Sequence, residues 1–224
     1  MARKTDRPCV ALIADVVHSR RFTGSRRARL QESLSRTLGK LNRTYSAAVL
    51  SKFIITTGDE FQGLLHNPVI LPDLIWDLEQ GLRDQADLRL GVGHGTLETA
   101  IKEYAVGMDG PVWHRAREAV VLSKSSRAYG GVFAGFGAPE DDILNGLARL
   151  LRHVRERLSD RQLLVLDLLR RGFNQKRIAE RLNITKQAVS KQAKAAGWEP
   201  YQVGEVAFRA VLTRYDFSRH WRRR

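Results

Sequence analysis

The chain of 224 residues has one cysteine, Cys9, two methionines and six prolines. A single thiol excludes an internal disulfide and a cysteine-rich metal site. No run of about 18 apolar residues occurs, so no membrane-spanning helix is expected. Met1 to Pro8 is charged and has no apolar stretch, which speaks against a signal peptide. The expected location is therefore the cytoplasm. Acid is scarce as well, with 24 Asp and Glu against 38 Lys and Arg, a net charge of +14. Hydrophobic residues make up 43%, enough to pack a core. The surplus of positive charge directs such a chain towards polyanions, nucleic acid first among them.

The charge is uneven. From Ala138 to Arg224 there are 19 basic and 10 acidic residues, a net of +9 over 87 residues, whereas the first 137 residues carry +5. Ala138-Pro139-Glu140-Asp141-Asp142 reads as a linker, small, proline-containing and acidic ahead of a helical pattern. The expected organisation is an N-terminal domain over residues 1–137 and a C-terminal domain over 138–224.

In the first part, Cys9 to Ala14 is an apolar run that ends at Asp15, as a buried strand presenting a carboxylate would. Leu30, Leu34, Leu38 and Leu41 recur at helical spacing within Ser25 to Tyr45. Ala48 to Thr56 and Phe61 to Leu65 are strand-like and flank Gly58-Asp59, the pattern of a hairpin. A second amphipathic helix is expected over Pro72 to Leu82, a strand from Leu88, a helix opened by Pro111, and a last strand within Gly130 to Phe136. The order β-α-β-β-α-β-α-β predicts an α/β sandwich.

That order, with its motifs, resembles the palm-like fold shared by class III nucleotide cyclases and GGDEF cyclases. Asp15 in IADVVHSR and Asp59 in TTGDEFQGLL stand where those families place metal-binding aspartates. Leu88 to Arg117 resembles their succession of strand, Gly-rich turn, strand and Arg-bearing helix. The combination of ADVVHSR, TTGDEFQGLL, RLGVGHG and GMDGP…AR is similar to the SatD family of bacterial proteins, over about residues 8–135.

The residues also carry a chemical reading of their own. A divalent ion holding a triphosphate wants hard oxygen ligands, and Mg²⁺ takes one or two carboxylates plus phosphates. Asp15 and Asp59 are the candidate ligands, for Mg²⁺ with a purine nucleotide, ATP or GTP. Gly58 allows close backbone approach. Arg20, Arg21 or Arg117 would meet phosphate charge, and Asp109 a ribose or a base edge. Blander readings stand beside these. Asp59 is then a turn residue, Asp15 a cap, Arg117 a salt-bridged helix residue, and Gly91, Gly93 and Gly95 a site of tight backbone packing. His18, His94 and His114 have no metal-site spacing.

The cyclase pattern is incomplete. Trp113 stands where class III cyclases carry the Asn that orients ribose, Lys52 is too far from Gly58 to read adenine, and Thr57 replaces the first Gly of the GGDEF motif. Losing positioning groups harms turnover more than binding. A domain that holds a nucleotide without converting it is expected, with no catalytic residue assigned.

In the C-terminal part, Ser159 and Gln162 form a capping box, Gly172 ends a helix, Asn174 caps a second helix and Thr185 a third. Leu158 to Trp198 resembles the helix-turn-helix of sigma-factor and LuxR-type output domains, which implies an all-α helix-turn-helix domain binding double-stranded DNA. From Arg149 to Trp198 there are 13 basic and 4 acidic residues, a net of +9 in 50 residues. Gln187 and Ser190 suit base edges. Lys186, Lys191 and Lys194 suit phosphates or guanine, and Thr185 opens the same helix. Arg171, Lys176 and Arg177 are expected at the DNA backbone. The Arg219-to-Arg224 tail is a solvated end or a further backbone contact. Three functions remain open: a dimeric, nucleoid-associated transcription regulator with a nucleotide sensor, a metal-dependent cyclase or related phosphoryl-transfer enzyme localised by DNA binding, and a DNA-binding scaffold.

Overall fold

The structure, a computed structural model, describes residues 5–126 and 130–221, without the side chains of Thr5, Asp6, Arg20, Ser126, Arg219 and His220. The chain runs β1 (Thr5–Val16), α1 (Gly24–Thr44), β2 (Val49–Thr57), β3 (Glu60–Leu65), α2 (Leu71–Leu82), β4 (Leu88–Leu97), α3 (Pro111–Ser126), β5 (Val132–Ala134) and then α4 (Glu140–Glu156). Five further helices follow, α5 (Asp160–Arg170), α6 (Gln175–Leu182), α7 (Lys186–Ala195), α8 (Trp198–Thr213) and α9 (Ser218–Trp221). Through β5 this is the order expected from hydrophobic periodicity.

The sheet order is β2-β3-β1-β4-β5, antiparallel throughout except for the β4–β5 pair. The first four strands with α1 and α2 thus form a split βαββαβ unit, to which α3 and β5 add a parallel crossover. Central β1 is buried on both sides, so it is apolar almost throughout rather than alternating. Val10, Leu12, Ala14 and Val16 share a core with Leu34 of α1 and Leu74 of α2. Cys9, Ala11 and Ile13 point the other way, onto Val112, Trp113, Ala116 and Val120 of α3. Burial pushes the Cys9 thiol up to about 12, which leaves it unreactive.

The Gly91-Val92-Gly93-His94-Gly95 run lies inside β4 and makes no turn. The strand–turn–strand expected here is replaced by one strand of ten residues. The cause is α3, since a Cβ on Gly91 or Gly93 would overlap backbone atoms of Ala116, Val120 or Val112. The three glycines are a flat track on which the α3 backbone rests.

No separately packed all-α domain is evident among the described residues. Leu144 and Ala148 of α4 and Phe208 and Leu212 of α8 belong to the same core as β1 and α2. Nor is the segment after Ala138 a free tether. Asp141 accepts hydrogen bonds from the backbone nitrogens of Gly135 (3.1 Å) and Phe136 (2.9 Å), and Glu140 pairs with Arg214 at 2.9 Å. Helices α5–α7 build a smaller core of Val165, Leu168, Ile178, Ala179, Val189 and Ala193.

That smaller unit docks on α2 through Trp76. The indole is fully buried with Leu163, Leu166, Ala196 and Tyr201. The guanidinium of Arg170 lies 4.3 Å from its ring centroid and that of Arg155 5.5 Å. The acids of α2 surround it. Asp73 meets Arg170 (3.1 Å) and Arg209 (2.8 Å), Asp77 meets Arg171 (3.0 Å), and Glu79 meets Arg152 (3.0 Å) and Arg155 (2.7 Å). Arg170 also pairs with Glu205 of α8, and both side chains are at least 90% buried. Arg170→Ala leaves the Glu205 carboxylate with Arg209 (2.9 Å) as its remaining partner and opens the stack on Trp76, so it is expected to lower stability by about 1–3 kcal/mol. Urea unfolding of the full chain measures this, and a loss below about 1 kcal/mol would show that the docking does not depend on this pair.

Candidate functional site

Strand alternation puts Asp15 on the same face of β1 as Cys9, Ala11 and Ile13, beneath α3. Its partner across the β1–β4 ladder is Arg89. One step beyond the Ala14–Phe61 pair, the neighbour on β3 is Glu60. Glu60, Asp15 and Arg89 therefore form a row across one end of the sheet. Arg117 and Lys124 come down onto that row from α3. They stand seven residues apart, two helical turns, and so share a face.

The contacts follow from this placement. Arg117 grips Glu60 bidentately, with Nη2 donating to Oε1 at 2.8 Å and Nη1 to Oε2. Those hydrogen bonds hold the Glu60 carboxyl below the usual carboxylate range, against partial burial, and raise the Arg117 guanidinium in turn. Lys124 Nζ lies 2.7 Å from Asp15 Oδ2, while Arg89 Nη1 is 3.5 Å from Oδ1. The Asp15 side chain is 13% exposed, yet its Oδ1 and the Nε of Arg89 receive no hydrogen-bond partner. The β2–β3 turn closes the same end. Gly58 has φ +64°, a left-handed conformation suited to glycine. Its carbonyl accepts from Gln31 Nε2 at 2.6 Å, and Asp59 Oδ2 accepts from the backbone nitrogen of Val16 at 3.1 Å.

The fold thus brings together Asp15, Gly58, Asp59 and Arg117 from separate stretches of sequence. Asp109 is not with them. It lies beyond the far end of β4, where its carbonyl accepts from Glu98 (2.9 Å) and its Oδ1 is 3.2 Å from His114 Nε2. The length of β4 separates the two places, about 30 Å for ten residues. Arg20 belongs to the 3₁₀ turn Ser19–Arg21 after β1, and its side chain lies outside the described residues. Glu60, Arg89 and Lys124 join the cluster without having been singled out in the sequence. The parity of Arg89 and the seven-residue step from Arg117 to Lys124 are visible there once strand pairing is known.

The donor set suits a hard divalent ion carrying phosphate. Asp15 and Asp59 offer carboxylate oxygens, and the buried Asp15 Oδ1, with Arg89 at 3.5 Å, receives no hydrogen bond. Among the described residues no cluster of three or more His, Cys, Asp or Glu forms an all-protein metal cage. Mg²⁺ does not need one, because it keeps waters and takes phosphate oxygens.

A second surface lies on α6 and α7. Ser159 and Gln162 cap α5 reciprocally, at 3.3 and 2.9 Å. Asn174 Oδ1 accepts from Arg177 N at 2.9 Å, and Thr185 Oγ1 from Ala188 N at 3.1 Å, so both helices start where their caps predict. Asn183 turns the chain in a left-handed conformation with φ 51°, and Ile184 packs against the small core between them. Ile178, Ala179, Val189 and Ala193 point inward. Lys176, Arg177, Thr185, Lys186, Gln187, Ser190, Lys191 and Lys194 are all exposed. Among the described residues none of these four lysines forms an ion pair. Arg177 and Arg181 stand over the ring of Phe173, at 6.0 and 5.4 Å. Between Asn174 and Ala196 six basic residues face one acid, Glu180. Arg171 is engaged differently, held by Asp77 of α2 and by Asp167. Of the Arg219-to-Arg224 tail, residues 222–224 and the side chains of Arg219 and His220 lie outside the described residues. No described helix is long and apolar enough to cross a membrane.

The chain belongs to the SatD family, whose pattern it matches over residues 9–207. No curated protein matches it. Among solved structures it is similar to the guanylate cyclase domain of a protein from Catenaria anguillulae in complex with GTP, at a TM-score of 0.35 and 14% identity, covering 52% of this chain and 73% of that one. A guanylyl cyclase domain from the aquatic fungus Blastocladiella emersonii gives 0.33 and 14%, covering 50% and 73%. A regulator of polyketide synthase expression from Bifidobacterium adolescentis gives 0.30 and 15%, covering 99% and 88%. At such scores the likenesses assign neither a shared fold nor an activity.

The Glu60–Arg117 pair sets a test of the cluster. Arg117→Met removes the donors that depress the Glu60 carboxyl and leaves the burial that raises it. The Glu60 carboxyl should therefore titrate at higher pH than in the parent in a carboxyl-detected NMR titration. An unchanged value would mean that the two side chains do not meet in solution.

Proposed function

We propose that this SatD-family chain is a transcription regulator that binds duplex DNA with α6 and α7, acts as a homodimer and senses a purine nucleotide with Mg²⁺. The observation that carries the first part is the sorting of its cations. Arg152, Arg155, Arg170 and Arg171 are consumed in holding α4 and α5 on α2. The exposed lysines of α6 and α7 have no such task. A cationic face with polar residues at the start of its second helix suits a recognition helix in the major groove. Gln187 and Ser190 then read base edges, while Lys186, Lys191 and Lys194, with Lys176 and Arg177 from α6, neutralise phosphates. Thr185 fixes where the helix begins. Two copies would read two half-sites.

The second part rests on the convergence of Asp15, Asp59, Glu60, Arg89, Arg117 and Lys124. Asp15 and Asp59 would hold the ion, which draws the phosphates in; Arg117 would meet their charge; Gly58 leaves room for the ligand beside the backbone. Trp113 favours holding over turnover. It is packed into the α3 core, only 7% exposed, and presents no amide where a cyclase would orient ribose. A nucleotide shifts DNA binding only by its differential affinity for two states of the chain. A coupling of about 1–3 kcal/mol corresponds to a 5- to 150-fold change.

Fluorescence anisotropy of a mixed-sequence duplex, titrated over a range of salt, tests this without knowledge of the target site. The parent should bind with an affinity that falls linearly on a log–log salt plot, and Lys191→Ala should flatten the slope by about one. Mg·ATP or Mg·GTP should shift the parent's curve but not that of Asp59→Ala, which should still bind DNA. A parent that binds no duplex at low salt overturns the DNA reading. A parent that binds duplex but ignores both nucleotides overturns the sensor reading.

A further inference from the structure

Lys124 and Arg89 both contact Asp15, but they are not equivalent. Arg89 issues from β4 beside Asp15, is 20% exposed and is fixed by the β1–β4 ladder. Lys124 reaches in from α3 with its side chain 46% exposed, and its ammonium is the nearer of the two to Asp15, 2.7 Å from Oδ2. The carboxylate it neutralises is 13% exposed and keeps one oxygen without a donor. Three carboxylates, Asp15, Asp59 and Glu60, are thus balanced by three cations, Arg89, Arg117 and Lys124. A dication cannot join this balanced set beside an ammonium on the same carboxylate without strong repulsion.

We propose that Lys124 occupies the cation position in the free chain, and that a divalent ion displaces it from Asp15 onto the phosphates of the incoming nucleotide. This rests on the nucleotide reading above and assigns the residue that makes ion and nucleotide bind together. An ammonium on a flexible four-carbon stem has three rotatable donors and exchanges partners easily, which a bidentate guanidinium does not. Arg117 and Lys124 share a face of α3, so the released ammonium stays on the side where Arg117 already presents charge. The ion alone must compete with Lys124, whereas the ion with a triphosphate gives Lys124 a new partner. Binding of the two is therefore cooperative, and Lys124 is the group that couples them.

Lys124→Met keeps much of the stem and removes the charge. Binding of Mn²⁺ alone, followed by the loss of its free-ion electron paramagnetic resonance signal, should tighten by about tenfold, the effect of one close like charge. The factor by which ATP or GTP tightens Mn²⁺ binding, read from the same signal, should fall by about tenfold in Lys124→Met. Lys124→Arg retains the charge and should stay near the parent in the first measurement. If the parent binds Mn²⁺ and Lys124→Met binds it no more tightly, Lys124 is a surface ion pair and the proposal is wrong. If Mn²⁺ binding tightens but that factor stays at the parent's value, the transfer to phosphate is wrong. A parent that takes up neither Mn²⁺ nor either nucleotide overturns the reading of the whole site, a failure distinct from both.

Discussion

The seating of α5 to α7 on the sheet domain depends on how α2 receives them. One face of α2 belongs to the sheet core through Leu71, Leu74 and Leu78, and another carries Trp76 with Asp73, Asp77 and Glu79. An indole flanked by two guanidiniums, ringed by carboxylates that pair with the same arginines, is both an apolar contact and an ionic one. Arginine suits this place because its planar fork satisfies two partners at once, where lysine offers a point charge. The basic surplus of the C-terminal part is thereby divided. Arg152, Arg155, Arg170 and Arg209 are drawn into ion pairs with the acids of α2, while Arg177 and Arg181 stay exposed with the lysines of α6 and α7. A net charge summed over sequence cannot make that division.

The other end of the molecule depends on a different constraint, the glycine track of β4. Only there can the α3 backbone lie against the sheet closely enough for Arg117 and Lys124 to reach Glu60 and Asp15. Backbone packing on one strand thus sets the electrostatics of a cluster three strands wide. The two surfaces are joined through the same scaffold: β3 leads from the cluster into α2, and α2 carries α5.

Much of this was legible in the sequence, for identifiable reasons. The order of strands and helices through β5, the β2–β3 hairpin and the caps at Ser159, Asn174 and Thr185 rest on local periodicity and local hydrogen bonds, which act within a few residues. Asp15 and Asp59 were visible because each stands at the end of an apolar strand or in a turn. What sequence did not show was set by contacts across long separations. The reading of Gly91, Gly93 and Gly95 as tight backbone packing holds, whereas the Gly-rich turn implied by the cyclase resemblance does not, since the three glycines lie within one strand against a helix some 25 residues later. Arg171 looked like a DNA contact because it is basic and beside the α6 cap, but Asp77, 94 residues away, holds it. Arg89 and Lys124 went unnoticed because only strand pairing and helix placement bring them to Asp15. Ala138 to Asp142 has the composition of a linker, and its acids instead bind the β5 loop and α8.

The central claim is that the exposed lysines of α6 and α7 are the DNA-contacting surface. Lysine footprinting tests it directly: the full chain is acetylated with and without a mixed-sequence duplex at low salt, and the modified sites are read by mass spectrometry. The account predicts protection of Lys176, Lys186, Lys191 and Lys194 by DNA, with exposed Lys40 on α1 labelled as before. Unchanged labelling of those four lysines while the duplex is bound, or equal protection of Lys40, would contradict it.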